Sequence, residues 1–294
     1  MDTKYLAIIL KLLSVLSFAV MDALIKKVSD TIPTFEIIFF RCLFGLIPVL
    51  LMVFYTSSSF RTAKIHLHFC RAIVAALAMF GFFKSFQLLP LADVSAVAFS
   101  SIMITTIMAI FFLNESIGVR RWTAIIVGFI GVFVILRPGS ELFNPYMLLP
   151  LLAAFGLSLA VIIVKILLRT DKPPTCSFYM HIIVAIIMLA TISFGWVIPD
   201  QGDLILLALI GIFGGTAQIL VTNAFRLSPV SLLVPFEYTH ILWAIFFGIV
   251  FFSDYPTFYV IIGSGIIILS TYYIVYRERQ IGKDIISKVP LKRF

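Results

Sequence analysis

The sequence predicts an all-α integral membrane protein with ten transmembrane helices, arranged as two inverted five-helix repeats. Three observations support this: an excess of apolar residues, ten apolar stretches of membrane length, and a constant offset between matching features of the two halves. Of the 294 residues, 62% are hydrophobic and 12% are charged. A soluble domain is about half apolar and about a quarter charged. The composition therefore excludes a water-soluble globular protein and a disordered chain.

Ten apolar stretches follow one another along the chain, and a helix that crosses a bilayer needs about 20 such residues. They lie at residues 5–25, 35–55, 66–88, 91–113, 120–137, 146–167, 176–198, 203–226, 229–252 and 256–276. None shows the period-two alternation of a membrane β-strand. Each stretch is expected to form one unbroken helix, because a helix satisfies its own backbone hydrogen bonds in lipid.

Lysine and arginine are distributed unevenly between the two ends of these stretches. If the N-terminus is cytoplasmic, 17 of the 22 cations, Lys11 among them, fall at cytoplasmic ends. Only Lys26, Lys27 and Arg137 fall at outer ends. This bias predicts that both termini are cytoplasmic. Because the cations are spread over one membrane face, the net charge of +8 indicates a lipid bilayer as partner and no nucleic acid.

Matching residues of the two halves are separated by 139 positions. The pairs are Lys26 and Lys165, Phe86 and Phe225, Pro90 and Pro229, and Glu115 and Asp254. We therefore predict a first repeat at residues 1–139, a second at residues 140–276, and a basic cytoplasmic tail at residues 277–294. Five helices per repeat make the second repeat enter the membrane in the opposite sense. Inverted repeats of this kind are typical of alternating-access transporters, whose site lies between the repeats near the bilayer midplane.

Several motifs in the two halves are typical of a known protein family. They are Phe86-Gln87-Leu88-Leu89-Pro90, Phe111-Phe112-Leu113-Asn114-Glu115 and Gly128-Phe129-Ile130-Gly131-Val132 in the first half, and Phe225-Arg226-Leu227-Ser228-Pro229, Phe251-Phe252-Ser253-Asp254 and Gly263-Ser264-Gly265 in the second. With them the chain resembles the EamA type of the drug/metabolite transporter superfamily, and within it the S-adenosylmethionine uptake carriers of intracellular bacteria. Two features depart from the family pattern: there is no proline between Ala92 and Glu115, and Asp254 replaces the usual glutamate.

The resemblance implies a multi-pass protein of the bacterial inner membrane that imports S-adenosylmethionine by alternating access, with S-adenosylhomocysteine as a candidate exchange partner. Two alternatives stay open: transport of amino acids or other metabolites in either direction, and a membrane protein that transports nothing. The sequence holds no HExxH, GxSxG or Walker motif. We therefore predict neither an enzyme nor a cofactor. Three dispersed cysteines, and His66 and His68 on different helix faces, do not favour a metal site.

Charged residues inside apolar stretches are candidates for the substrate site, because charge is costly in lipid. Glu237 leads, since its carboxylate could hold a cationic substrate or a proton; the alternative is a structural hydrogen bond to a neighbouring helix. His240 lies on the same helical face at i+3, and Tyr238 is adjacent. Both are weaker candidates, because such residues often serve packing alone.

Two cations lie within the apolar stretches. Arg41 matches an arginine common in the family's second helix, which favours structural or gating work, with contact to a substrate carboxylate as the alternative. Lys84, near the end of the third stretch, can snorkel to the interface, and Asp22 in the first stretch is interpreted similarly. Phe99 and Trp243 are candidate aromatic faces for a sulfonium ion or an adenine ring.

The segment Gly211-Ile212-Phe213-Gly214-Gly215 contains a GxxxG spacing. Small residues at this spacing allow two helices to approach closely in a membrane. We therefore interpret it as a packing motif.

Overall fold

The computed structural model describes residues 3–57, 59–113, 119–137, 144–228, 233–270 and 272–273. Regular secondary structure in these ranges is entirely helical. The helices are α1 (Thr3–Val28), α2 (Thr34–Tyr55), α3 (Ile65–Leu88), α4 (Leu91–Ala98), α5 (Ser100–Leu113), α6 (Val119–Leu136), α7 (Leu148–Leu167), α8 (Pro173–Leu189), α9 (Gln201–Leu227), α10 (Thr239–Phe252) and α11 (Phe258–Ser270). Short 3-10 helices precede α7 (Pro145–Met147) and α10 (Val234–Tyr238). The predicted repeat boundary, Glu115, Pro229 and the 277–294 tail lie outside the described residues.

These helices account for the ten predicted spans. Five are long and apolar enough to cross a membrane: α1, α2, α3, α9, and α7 with its preceding 3-10 turn. The fourth span consists of α4 and α5, which are separated only by Phe99, and the ninth consists of the second 3-10 helix and α10. The shorter apolar helices α6, α8 and α11 form the fifth, seventh and tenth. The all-α, two-repeat fold class is therefore confirmed.

The two repeats keep the 139-residue offset in their helix boundaries. Helices α3 and α9 end at Leu88 and Leu227, and α5 and α10, at Ser100–Leu113 and Thr239–Phe252, keep it at both ends. Packing repeats as well: α1 packs on α9 as α7 packs on α3, and α2 packs on α9 as α8 packs on α3. Exchanging the halves thus converts these contacts into one another, as expected for repeats related by a pseudo-twofold axis.

Three polar pairs join α1 to the ninth span in the same order along both segments. They are Lys11 with Glu237, Asp22 with His240, and Lys26 with Asp254. The two segments therefore run in the same direction, as the first and ninth spans of an alternating up-and-down chain must. The cytoplasmic placement of the termini stays a prediction, and the outer face below means the face at which α1 ends.

The expectation of unbroken helices is wrong in the fourth and ninth spans. After Phe99 the Ile102 N–H bonds the Phe99 carbonyl at 3.1 Å, an i to i+3 bond that tightens the chain locally. In the ninth span Pro235 has no N–H to donate, and the Thr239 hydroxyl donates to the Phe236 carbonyl at 2.7 Å. The apolar composition of a span does not reveal such local changes in its backbone hydrogen bonds.

The seventh span ends earlier than predicted, at Leu189 rather than at residue 198. A turn follows, with Gly195 at a φ of +81°, and the chain then runs extended to α9. The Val197 N–H donates to Glu36 at the start of α2, at 3.0 Å. This bond holds the extended segment at the outer face, although its residues are as apolar as those of a span.

Glycines bring α2 and α9 into close contact. A Cβ atom on Gly215 would lie 2.5 Å from the Gly45 carbonyl oxygen, and one on Gly211 would lie 2.4 Å from the Phe44 Cβ. Both separations are shorter than real carbon contacts, so no larger residue fits without moving a helix. The interpretation of residues 211–215 as a packing motif is confirmed.

We expect Gly215→Ala to destabilise the protein by about 1–3 kcal/mol, because the added methyl group overpacks the contact with Gly45. Gly265→Ala is the matched control, since a Cβ there has no neighbour within 4 Å. It should be neutral or stabilising by about 0.5–1 kcal/mol, because alanine favours the helix. Thermal unfolding in detergent measures both variants. Equal unfolding temperatures for the two variants would show that α2 and α9 can move apart without loss of stability.

Candidate substrate site

A polar centre lies among the apolar side chains where the two repeats meet. Asp22 on α1 and His240 on α10 are joined by a hydrogen bond of 3.1 Å between Oδ2 and Nε2. Both side chains are largely buried, at 11% and 16% exposure. Arg41 on α2 is also buried, and its charge acts on the Asp22 carboxylate. The polar centre, defined as Asp22, Arg41 and His240, therefore combines one carboxylate, one guanidinium and one imidazole from both repeats.

The guanidinium of Arg41 has few partners of its own. Nη1 lies 3.8 Å from the Cys42 sulfur and 3.6 Å from the Met79 sulfur, and sulfur is a weak acceptor. Nε is buried and has no hydrogen-bond partner among the described residues. Gly214 leaves room here, since a Cβ at that position would stand 3.2 Å from Nε. Arg41 thus keeps donors that an anionic group of a ligand can use.

Two aromatic rings meet at equivalent positions of the two repeats. Phe99 and Tyr238 are 139 residues apart, and their ring centroids lie 5.2 Å apart in an edge-to-face arrangement. Each precedes the second helical segment of its span, α5 or α10. Both belong to the buried cluster that contains Met21, the neighbour of Asp22. The structure therefore brings Phe99 and Tyr238 into contact, as expected for equivalent residues close to a pseudo-twofold axis.

Glu237 lies apart from the polar centre. It forms an ion pair with Lys11 of α1, and its side chain is 39% exposed. Lys11 is only 2% exposed and also lies 5.3 Å from the centroid of the Phe225 ring. Lys11 is therefore buried in the helix packing, and its assignment to a cytoplasmic end stays a prediction. Its spacing of 11 residues from Asp22, which is about three helical turns, places both on one face of α1 and was a usable signal.

Glu237→Gln is expected to destabilise the protein, because it leaves the buried Lys11 ammonium without its counter-ion. Breaking such a pair costs about 3–5 kcal/mol when the remaining charge stays buried. Lys11→Met combined with Glu237→Gln should recover most of that loss. Thermal unfolding and the amount of folded protein in the membrane are the measurements. A fully stable Glu237→Gln protein with reduced uptake would instead favour contact between Glu237 and the substrate.

The remaining two candidates are placed elsewhere. Lys84 donates to the Gln87 side-chain oxygen at 2.5 Å, and Gln87 donates to the Ser29 carbonyl at 2.7 Å, both at the outer ends of their helices. Trp243 packs beside Phe246 and lines an open apolar groove with exposed leucines of α1. Sequence reasoning ranked Asp22 below Glu237, although Asp22 is the carboxylate at the polar centre.

One group of side chains has a composition that suits a metal ion. The ligand atoms of His68, Asp171 and Cys176 lie within 4.8 Å of one another. His68 and Asp171 already bond each other at 2.8 Å, and Arg71 donates to the Cys176 carbonyl at 2.8 Å. Burial raises the pKa of Asp171, but hydrogen bonds from Thr62, His68 and Thr170 outweigh it and hold the pKa below its usual value. An ionised Asp171 bonded to His68 and Thr62, with Arg71 on the Cys176 carbonyl, accounts for the group without a metal.

Comparison with known proteins identifies the family. The EamA-like transporter family matches residues 5–137 and again residues 144–276, once in each repeat. The chain belongs to the EamA-like transporter family. Members of this family are transporters rather than enzymes, and the apolar helices make this EamA protein a multi-pass membrane protein. A solved crystal structure, 15% identical, superposes with a TM-score of 0.66 over 91% of this chain and 97% of that chain.

Relatives of this EamA protein have different substrates. S-adenosylmethionine uptake transporters of Rickettsia conorii and Rickettsia felis are 30% and 31% identical, each over 92% of both chains. A pseudopaline exporter of Pseudomonas aeruginosa is 24% identical over 92% of this chain and 96% of its own. A riboflavin transporter of Rhizobium johnstonii is 26% identical over 72% of this chain and 71% of its own. Family membership therefore establishes transport but not the substrate.

Proposed function

We propose that this EamA protein imports S-adenosylmethionine across the bacterial inner membrane by alternating access. The single observation on which the proposal rests is the polar centre, which presents a carboxylate and an under-satisfied guanidinium together inside the membrane. The uptake transporters of Rickettsia support the same substrate, at 30% and 31% identity over nearly the whole chain. The exporter and the riboflavin transporter are less similar, at 24% and 26%.

The chemistry of the substrate fits the groups of the polar centre. S-adenosylmethionine carries an ammonium, a sulfonium, a carboxylate and an adenine ring. Asp22 suits the ammonium, and the planar guanidinium of Arg41 suits the carboxylate, which it can bind through two parallel hydrogen bonds. Phe99 and Tyr238 offer aromatic surface to the adenine and to the sulfonium. Asp22 thereby takes the role that the sequence assigned to Glu237, whose carboxylate is occupied by Lys11.

The charge of the substrate supports import as the direction. At neutral pH its ammonium, sulfonium and carboxylate sum to one positive charge. A membrane potential that is negative inside drives such a cation inward by about 2.3 kcal/mol per 100 mV. Uptake by this route requires no second ion. S-adenosylhomocysteine lacks the sulfonium charge but retains the amino-acid end, so it fits the same polar centre and is the proposed exchange partner.

Uptake of labelled S-adenosylmethionine into liposomes that contain the purified protein tests the proposal. Empty liposomes and liposomes with Asp22→Asn protein are the controls, and a potassium diffusion potential tests the effect of membrane voltage. Unlabelled S-adenosylhomocysteine, methionine and riboflavin serve as competitors. We expect saturable uptake that a negative interior accelerates and that S-adenosylhomocysteine inhibits. Folded protein without uptake above empty liposomes would eliminate this substrate.

A further inference from the structure

Lys26 at the outer end of α1 holds the two repeats together. Its ammonium forms an ion pair with Asp254, which follows the ninth span, and donates to the Leu89 carbonyl at 3.1 Å. It also lies 5.3 Å from the centroid of the Phe252 ring. The paired side chains are 16% and 24% exposed, so water weakens the pair only in part. This contact closes the outer ends of α1, α3 and the ninth span over the polar centre.

A second carboxylate lies near this pair and has no ion pair within the part of the chain that the structure describes. Asp93 lies in the first turn of α4, four residues after Leu89, and is 5% exposed. Its Oδ1 is buried and accepts no hydrogen bond, and no ion pair of Asp93 occurs among the described residues. Among charged groups Arg137 acts on it most strongly, followed by Asp254 and then Lys26. Leaving a buried carboxylate in this condition is costly unless another state of the protein uses it.

The carboxylates of Asp93 and Asp254 belong to different repeats, and this difference matters for transport. Lys26 and Asp93 both belong to the first repeat, whereas Asp254 belongs to the second. The bond from Lys26 to Asp254 therefore ties the repeats together, and a bond from Lys26 to Asp93 would not. The four-carbon stem of lysine allows its ammonium to turn from one to the other about the Leu89 carbonyl.

We propose that Lys26 is a two-position switch of the outer gate, bonded to Asp254 when the outer side is closed and to Asp93 when it is open. The exchange keeps one ammonium–carboxylate pair in both states, so that the opening does not expose an unpaired buried charge. Discrete alternatives of this kind are what allow a packed protein to alternate between two conformations. The proposal rests on the chain being a transporter but not on the identity of its substrate.

A native thiol next to the polar centre reports the opening. Cys42 is fully buried, and its sulfur lies 3.8 Å from Arg41 Nη1. In a protein with Cys70→Ser and Cys176→Ser, Cys42 is the remaining thiol of the three in the chain. A membrane-impermeant trimethylammonium methanethiosulfonate is added to intact cells and, separately, to inverted membrane vesicles. The rate of Cys42 modification from the outer face then measures how often the gate is open, with no substrate present.

Four variants in this background test the switch. Asp254→Asn removes the partner that Lys26 has in the closed state. It should raise the rate of Cys42 modification from the outer face by about tenfold, because a tenfold larger open population is modified about ten times faster. Asp93→Asn removes the open-state partner and should lower both that rate and uptake. The exchange Lys26→Asp with Asp254→Lys should restore protection of Cys42 but not uptake, because residue 26 then repels Asp93. Lys27→Met removes the adjacent exposed cation and should match the parent protein.

Two results would overturn the proposal. One is an Asp254→Asn protein whose Cys42 is modified at the parent rate. The other is a protein with Lys26→Asp and Asp254→Lys that has full uptake. That result would mean that the ion pair only holds the two repeats together and that Asp93 takes no part in opening. If Asp254→Asn folds poorly, Asp93→Asn and the charge exchange still decide between these outcomes. If the parent protein transports no S-adenosylmethionine while the modification rates change as expected, the substrate assignment fails and the switch stands.

Discussion

Asp22→Asn is expected to lower S-adenosylmethionine uptake by about 100-fold, which corresponds to about 2.7 kcal/mol of lost transition-state stabilisation. The amide keeps the size of the side chain and can still bond His240, but it offers no charge to the substrate ammonium. In a partly buried site a charge pair at 4 Å is worth about 4 kcal/mol, so most of that energy would be lost. Initial uptake rates per folded molecule in liposomes are the measurement.

Asp30→Asn is the matched control for this variant. Asp30 lies two residues after the end of α1, and its side chain is exposed, so the same chemical change is made outside the polar centre. It should leave uptake unchanged. Parent-like uptake by Asp22→Asn protein would show that Asp22 serves only to bond His240 and hold α1 against α10. The site would then have to be sought elsewhere.

Arg41→Lys is the second substitution with a large expected effect. Lysine keeps the positive charge but loses the planar fork that binds a carboxylate through two hydrogen bonds. We expect kcat/KM for S-adenosylmethionine uptake to fall by about 10- to 100-fold, in the range of a lost charge-assisted hydrogen bond. Decarboxylated S-adenosylmethionine, which has no group for Arg41 to bind, should be affected much less.

The comparison of the two substrates separates binding from structure. Equal losses for both would mean that Arg41 holds the helices or gates the pathway, the structural interpretation that the sequence also left open. Unequal losses would assign the substrate carboxylate to Arg41. Arg61→Lys, at an exposed position before α3, is the matched control and should change neither rate. Thermal unfolding checks that Arg41→Lys protein is folded, because Arg41 is buried.

Much of the fold was accessible from the sequence because lipid imposes simple rules. Helices must be apolar and about 20 residues long, so composition located the ten spans. The 139-residue offset of pairs such as Lys26 and Lys165 predicted the two repeats that the helix boundaries reproduce. The GxxxG spacing at residues 211–215 predicted a close helix contact, and the structure has one with Gly45. All three signals are local or periodic, so one chain sufficed to find them.

The site was predicted less well because its members are brought together by contacts between distant segments. The sequence singled out Arg41 and His240, which belong to the polar centre, and Phe99 and Tyr238, which contact each other. It also favoured Glu237, because nothing in the neighbourhood of Glu237 shows that Lys11, 226 residues earlier, neutralises it. Breaks after Phe99 and before α10 escaped prediction for a related reason, since the residues around them are as apolar as in an unbroken span.

The sequence by itself determined that this protein lies in a membrane, crosses it ten times and consists of two related halves, because burial in lipid constrains each segment separately. Only the tertiary structure decided which charged side chains pair with one another. Whether a buried carboxylate is available to a substrate depends on whether another helix brings a cation to it. That packing pairs Glu237 with Lys11 and Asp22 with His240, and it leaves Asp93 without an ion pair among the residues that the structure describes.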